Sequence, residues 1–138
     1  MAPLVDNAAL LVIDAQQEYF APLGKVVLPA GPAGEPVLTK HLPGAFTGTS
    51  LEEILRAGGV QRLIVSGFMT QMCVDTTTRQ AAHRGFQVTV LSDATAAMAV
   101  KDLAGQVIPA DAVHQTHLGS LSDFLAEIKL TAAITRAS

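Results

Sequence analysis

The sequence predicts an α/β domain with a mainly parallel sheet flanked by helices, and three observations predict it. Short apolar runs recur at residues 8–13, 62–66 and 87–92, each with the length and the Val, Leu and Ile content of a strand buried on both faces. Segments with small or apolar residues at helical spacing alternate with these runs, as the crossovers of a parallel sheet require. The first and third runs end on aspartates, Asp14 and Asp93, and ligands bind such sheets at the carboxyl ends of the strands.

Residues 8–13 give the first strand. Over residues 21–36, APLGKVVLPAGPAGEP, Pro and Gly are interleaved so closely that a helix is excluded and a loop with one short extended piece is expected. PVLT at 36–39 reads as a second short strand, with Lys40 and His41 at its end. Thr49 or Ser50 opens a helix, Glu52 and Glu53 are placed to complete a capping box, and Gly58 with Gly59 ends it. Gly67 is expected to break the strand at 62–66. Cys73 then begins a helix marked by Val74, Thr77, Thr78, Ala81 and Ala82 and closed by Gly85. After the strand at 87–92, a long amphipathic helix is expected over 110–127 and a last strand within 128–134.

At 138 residues the chain predicts one compact domain over 1–138, large enough to bury a core without disulfides or a structural metal. A composition 49% hydrophobic but only 15% charged and 4% aromatic calls for a core of Ala, Val, Leu and Ile, with a surface suited to an oligomer. The net charge of −3 and nine scattered Lys and Arg residues offer no phosphate-tracking stripe and no polybasic patch. No apolar stretch approaches the ~18 residues of a membrane span. Neither nucleic acid nor a membrane is therefore expected as a partner, and the expected location is cytoplasmic.

A single cysteine, Cys73, excludes an internal disulfide and a Cys-rich zinc site, leaving an inert core thiol or a reactive one. In the first turn of a helix the sulfur meets unpaired backbone N–H groups and the positive end of the dipole, which favour a thiolate at neutral pH. Against that, free cysteine is among the most buried residue types, so position alone leaves both readings open. Asp14, Lys40 and the loop over 67–73 all follow expected strands, and should converge on one rim. His114 and His117, three apart on a helix, share a face; without a third ligand they read as a solvated or core-edge pair, and no metal is expected. Asp93 reads as a helix cap or loop anchor. Tyr19, Phe46 and Phe68 suit the wall of a pocket and core packing equally. No glycine-rich phosphate motif is present.

Three separated segments resemble the isochorismatase-like cysteine hydrolases. ALLVIDAQQEYF is similar to that family's first strand and its D-x-Q-x-x-F/Y motif, with Asp14, Gln16 and Tyr19 matching. TKHLPGAFTGTSLEEIL resembles the family's lysine segment, with Lys40 as the matching residue and Phe46, Gly48 and Thr49 after it. VSGFMTQMCVDTTTRQAAHRGFQVTVLSDATAA is similar to the nucleophile segment, with Gly67, Thr70, Cys73, Val74, Thr77, Arg79, Ala82, Gly85, Asp93 and Ala94 in register.

The resemblance implies a Rossmann-like three-layer fold and a catalytic set of Cys73 as nucleophile, Asp14 as proton carrier and Lys40 as the cation that holds both. It also implies a cis peptide between Phe68 and Met69, an oxyanion hole made by the backbone amides of Met69 and Cys73, and substrate contacts from Gln16, Tyr19, Phe46, Phe68 and Thr70. Between Tyr19 and Lys40, where the family carries a helix and a further parallel strand, only the Pro/Gly-rich stretch stands, so the implied fold is shortened by about one βα unit. That unit holds the metal ligands of nicotinamidase-like members, which disfavours zinc-assisted chemistry; no cofactor is expected. The sheet flank left open suits a homo-oligomer, with exchanged elements as one form of it. The expected activity is hydrolysis of a small amide or related C–N bond through a thioester. The alternatives are isochorismatase-type cleavage of a vinyl ether and a shortened, non-catalytic member serving as a binding or assembly module.

Overall fold

A computed structural model describes residues 7–14 and 36–135. Four strands form one parallel sheet in the order β1-β2-β3-β6: β1 is Ala8–Ile13, β2 Arg62–Phe68, β3 Gln87–Ala96 and β6 Glu127–Lys129. The helices are α1 (Leu51–Ala57), α2 (Asp75–His83), α3 (Ala110–Ser122) and the short α4 (Thr131–Thr135), and a hairpin of β4 (Val100–Lys101) and β5 (Val107–Ile108) precedes α3.

The register explains the core. Ala9, Leu11 and Ile13 of β1 sit beside Leu63, Val65 and Gly67 of β2, and Leu63 and Val65 sit beside Val88 and Val90 of β3, so one face is aliphatic throughout. Against it pack Leu51 and Leu55 of α1, Val74 and Ala81, and Leu118 and Leu121 of α3. On the opposite face, Leu10 and Val12 of β1 are 57% and 61% exposed among the described residues.

Several elements differ from expectation. Residues 36–40 form no strand: Pro36 has no N–H to give a ladder, and Val37 stands 84% exposed. The capping box is absent, because Glu52 is drawn away by Arg56 and Arg84. The Thr49 hydroxyl instead accepts from the Leu51 amide and donates to the Ala45 carbonyl. β2 is not broken by Gly67, and β3 does not stop at Asp93: after a register shift, Gly67 and Phe68 continue beside Thr95 and Ala96. The helix expected to reach residue 127 ends at Ser122, where the amides of Leu125 and Ala126 fold back on the Leu121 carbonyl and free Glu127–Lys129 to pair with β3. Of the stretch 128–134 expected to supply a last strand, only Ile128 and Lys129 are strand; residues from 131 on are helical, and the Asp93 carboxylate accepts from the amide and hydroxyl of Thr131 at 2.8 and 2.9 Å. Asp93 thus serves as the anchor it was read to be.

A buried carboxylate ties α2 to α3. Asp75 accepts from Arg79 at 2.5 and 3.3 Å and lies 3.0 Å from Nδ1 of His117, while Arg79 reaches on to the Ser120 hydroxyl at 3.1 Å. Asp75→Ala leaves both Arg79 and His117 without this buried acceptor, and is expected to lower the unfolding free energy by about 2 kcal/mol. Urea denaturation of the two proteins reads this directly; an unchanged midpoint would show the network to be decorative.

Candidate active site

The carboxyl ends of β1 and β2 lie side by side, Ile13 against Gly67, and this pairing builds the site. Asp14 is the first residue beyond β1 and takes a left-handed backbone (φ 47°), a conformation that aspartate tolerates better than most residues. β2 runs out through Phe68, whose peptide bond to Met69 is cis. A π-helical turn, Thr70–Val74, follows at once: the Met69 carbonyl accepts from both the Met72 and the Val74 amides, at 3.0 and 3.2 Å, which widens the turn before α2 begins. Cys73 stands in this π turn rather than at the start of a regular α-helix.

Lys40 closes the arrangement. Its ammonium has three protons to place, and three acceptors surround it: Asp14 Oδ1 at 2.7 Å, the Leu42 carbonyl at 3.1 Å and Cys73 Sγ at 3.4 Å. The Asp14 and Lys40 side chains are only 9% and 14% exposed and Cys73 only 8%, so the three groups meet with little water between them.

The electrostatics correct one expectation. Burial pushes the Cys73 thiol above its ordinary value of 9.0, and the hydrogen bond and negative charge of Asp14 push it further, while Lys40 pulls the other way without prevailing. The resting group at neutral pH is therefore a thiol facing a carboxylate, not a thiolate. Because the folded state holds this proton more tightly than the unfolded chain, the associated stability is complete below pH 9 and is lost as pH rises through the higher folded value. Iodoacetamide labelling of the resting protein is accordingly expected to keep rising with pH through pH 9 without levelling off, and a rate that levels off near neutrality would contradict the assignment.

The other residues singled out by the sequence divide. Gln16 and Tyr19 lie outside the described residues. Phe46 is in the core, its ring 5.9 Å from that of Phe86 and capped by the Arg84 guanidinium at 4.9 Å. Phe68 and Met69 are half-buried beside the π-helical turn that carries Cys73. Thr70 is wholly buried and bonded to His114 at 2.8 Å. His114 and His117 do not act as a pair: His114 turns to Thr70 and the Ser92 carbonyl, His117 to Asp75. Among the described residues no group of three or more His, Cys, Asp or Glu side chains is placed to hold a metal. Sequence reasoning missed the Leu42 carbonyl as the third ligand of Lys40; the two-residue separation between Lys40 and Leu42 was the available signal.

A cleft of about 710 Å³ opens elsewhere, at the amino ends of the strands, with Ala8, Arg62, Gln87 and Glu127 on its lining. It contains none of Asp14, Lys40 and Cys73. The chemistry points to the carboxyl rim.

Comparison with known proteins agrees with this architecture. The model of the Isochorismatase domain matches residues 21–133. The uncharacterized isochorismatase family protein YddQ of Bacillus subtilis (strain 168) is 34% identical over 102 residues, covering 74% of this chain and 56% of that protein. A ureidoacrylate amidohydrolase of Methylorubrum extorquens is 40% identical over 62 residues, 45% of this chain and 25% of its own. The crystal structure of an isochorismatase from Pseudomonas putida KT2440 superposes with a TM-score of 0.75 at 34% identity, over 91% of this chain and 66% of that one. The chain belongs to the isochorismatase family. It spans about half the length of the curated relatives YddQ and YrdC of Bacillus subtilis.

Proposed function

We propose that this protein is a cysteine-dependent hydrolase that cleaves a small amide or related C–N bond through a thioester on Cys73. The observation that carries the reading is the Lys40 ammonium bonded at once to the Asp14 carboxylate and the Cys73 sulfur, groups drawn from three distant stretches of chain. On substrate binding, Asp14 takes the thiol proton as sulfur attacks the carbonyl carbon. The tetrahedral oxyanion is held by the backbone amides of Met69 and Cys73. As the C–N bond breaks, Asp14 hands the proton to the departing nitrogen, leaving an acyl thioester. A water molecule, deprotonated by Asp14, then hydrolyses the thioester, releasing the acid and restoring the thiol. Lys40 keeps the carboxylate and the developing thiolate in contact throughout without donating a proton of its own. The likeness to the Methylorubrum relative, a ureidoacrylate amidohydrolase, supports C–N cleavage over vinyl ether cleavage.

The test is intact-mass spectrometry after mixing the protein with a panel of small amides and ureides. An acyl mass increment located on Cys73, absent from Cys73→Ala and accompanied by release of ammonia or amine, is the expected result. No adduct and no release across the panel, with Cys73 alkylating like a free thiol, would favour a non-catalytic binding module instead.

A further inference from the structure

The contact between Thr70 and His114 lies outside the triad but reaches the turn on which the triad depends. Thr70 sits between Met69 and Cys73, opens the π-helical turn and is 0% exposed. Its hydroxyl is 2.8 Å from Nδ1 of His114, and Nε2 of the same ring is 3.1 Å from the Ser92 carbonyl oxygen. A carbonyl only accepts, so Nε2 carries a proton. In the neutral ring Nδ1 is then an acceptor, and the Thr70 hydroxyl must donate to it. The imidazole thereby joins three elements: α3, which carries it; β3, through Ser92; and the nucleophile turn, through Thr70.

We propose that His114 is a positioning residue, which through Thr70 fixes the nucleophile turn so that the Met69 and Cys73 amides face the oxyanion. This rests on the hydrolase reading above. Thr70 lies one residue after Met69 and three before Cys73, so a turn free to shift at this point would misplace both amides relative to the sulfur. Misplacement of oxyanion donors weakens acyl transfer, in which negative charge builds on the carbonyl oxygen. It leaves simple alkylation untouched, since displacement of iodide from iodoacetamide creates no oxyanion.

Two probes separate these effects. With p-nitrophenyl acetate, sulfur attacks the ester carbonyl, the proton passes to Asp14, p-nitrophenolate leaves and its burst reports acylation; iodoacetamide reports the sulfur alone. His114→Leu is expected to slow acylation about tenfold while changing alkylation less than about threefold. Asparagine places an acceptor where Nδ1 stands and should recover most of the acylation rate. Glutamine reaches the Ser92 side of the ring instead and should not. An unchanged ratio of acylation to alkylation in folded His114→Leu, or rescue by Gln and not by Asn, overturns the proposal. The nitrogen chemical shifts of His114 in the unmodified protein give a second reading that needs no variant to fold: a bare Nδ1 with protonated Nε2 supports it, and a protonated Nδ1 overturns it. A wild type that p-nitrophenyl acetate does not acylate sinks the hydrolase reading itself, whereas a wild type acylated no faster than His114→Leu sinks only the role of His114.

Discussion

Asp14→Asn is expected to move two reactions of Cys73 in opposite directions. Amide hydrolysis should fall by about 10³-fold, the scale lost with a positioned acid–base group, because the amide nitrogen leaves only when protonated and asparagine has no proton to give. Alkylation by iodoacetamide at about pH 8 should rise. The hydrogen bond and charge of Asp14 are both among the influences that hold the thiol above its ordinary value, and the lysine pulls the other way. Without the carboxylate, the thiol should ionise at lower pH, and Lys40, whose ammonium lies 3.4 Å from the sulfur, would be left with a thiolate to pair. A general loss of structure would also free the buried thiol for alkylation, so the comparison is made on a variant whose far-UV circular dichroism matches the wild type; an Asp14 that merely ends a strand changes neither rate. Alkylation and hydrolysis falling together in a folded Asp14→Asn protein would show that the carboxylate activates the sulfur before substrate arrives, contrary to the order of steps proposed here.

The crossed prediction also explains why a buried, protonated thiol suits this chemistry. A free thiolate in a water-poor pocket costs desolvation energy in every resting molecule, and it reacts with any electrophile that enters. A thiol held against a carboxylate ionises when a carbonyl is in place to take the electron pair. The Lys40 ammonium, already bonded to both groups, stabilises the charge wherever it resides, so the proton shift needs little rearrangement of neighbours.

What the sequence revealed depended on how local its signal was. β1, β2 and β3 were legible because uninterrupted apolar runs of their length have few other uses, and the fold class followed from their alternation with helices. The ends of β2 and β3 were not legible, since Gly67 and Asp93 read as terminators while the strands run on in a shifted register that only their mutual pairing creates. The hairpin over 100–108 left no trace, its two-residue strands being too short for a period of two to register. The last strand was legible only in part: Ile128 and Lys129 fall in the stretch expected to supply it, while Glu127 was assigned to the preceding helix, because a charged residue on either side of Ile128 fits a helix surface as well as a strand. In the site, Asp14, Lys40 and Cys73 were all brought to one rim by their positions after expected strands, but position left Cys73 open between an inert and a reactive thiol, and the resemblance to a known family decided it. Lys40 was placed there for the wrong reason, because the segment before it is no strand at all. His114 was read with His117 as a solvated or core-edge pair; its actual partner, Thr70, lies 44 residues away and shares no sequence pattern with it.

Gly67→Ala is expected to destabilise the fold by about 4 kcal/mol or more, or to prevent folding. Two independent penalties combine there. The backbone is at φ 114°, which residues with a Cβ rarely adopt, and an added Cβ would lie 2.0 Å from the Ile13 carbonyl oxygen and 2.7 Å from its nitrogen, both main-chain atoms that no rotamer change can move. Gly85→Ala separates the penalties: that residue has φ 82° with nothing within 4 Å of the added carbon, so only the backbone term applies, at about 1 kcal/mol. Urea denaturation of the two variants should therefore differ by several-fold in effect. The contrast bears on function because Ile13 and Gly67 are the last close pair before the chain opens into Asp14 on one side and the Phe68 to Cys73 turn on the other. Only a residue without a side chain lets β1 approach β2 closely enough for the carboxylate and the sulfur to share one ammonium. Equal, mild losses for Gly67→Ala and Gly85→Ala would mean that this approach is not tight, and the close meeting of Asp14, Lys40 and Cys73 would lose its structural cause.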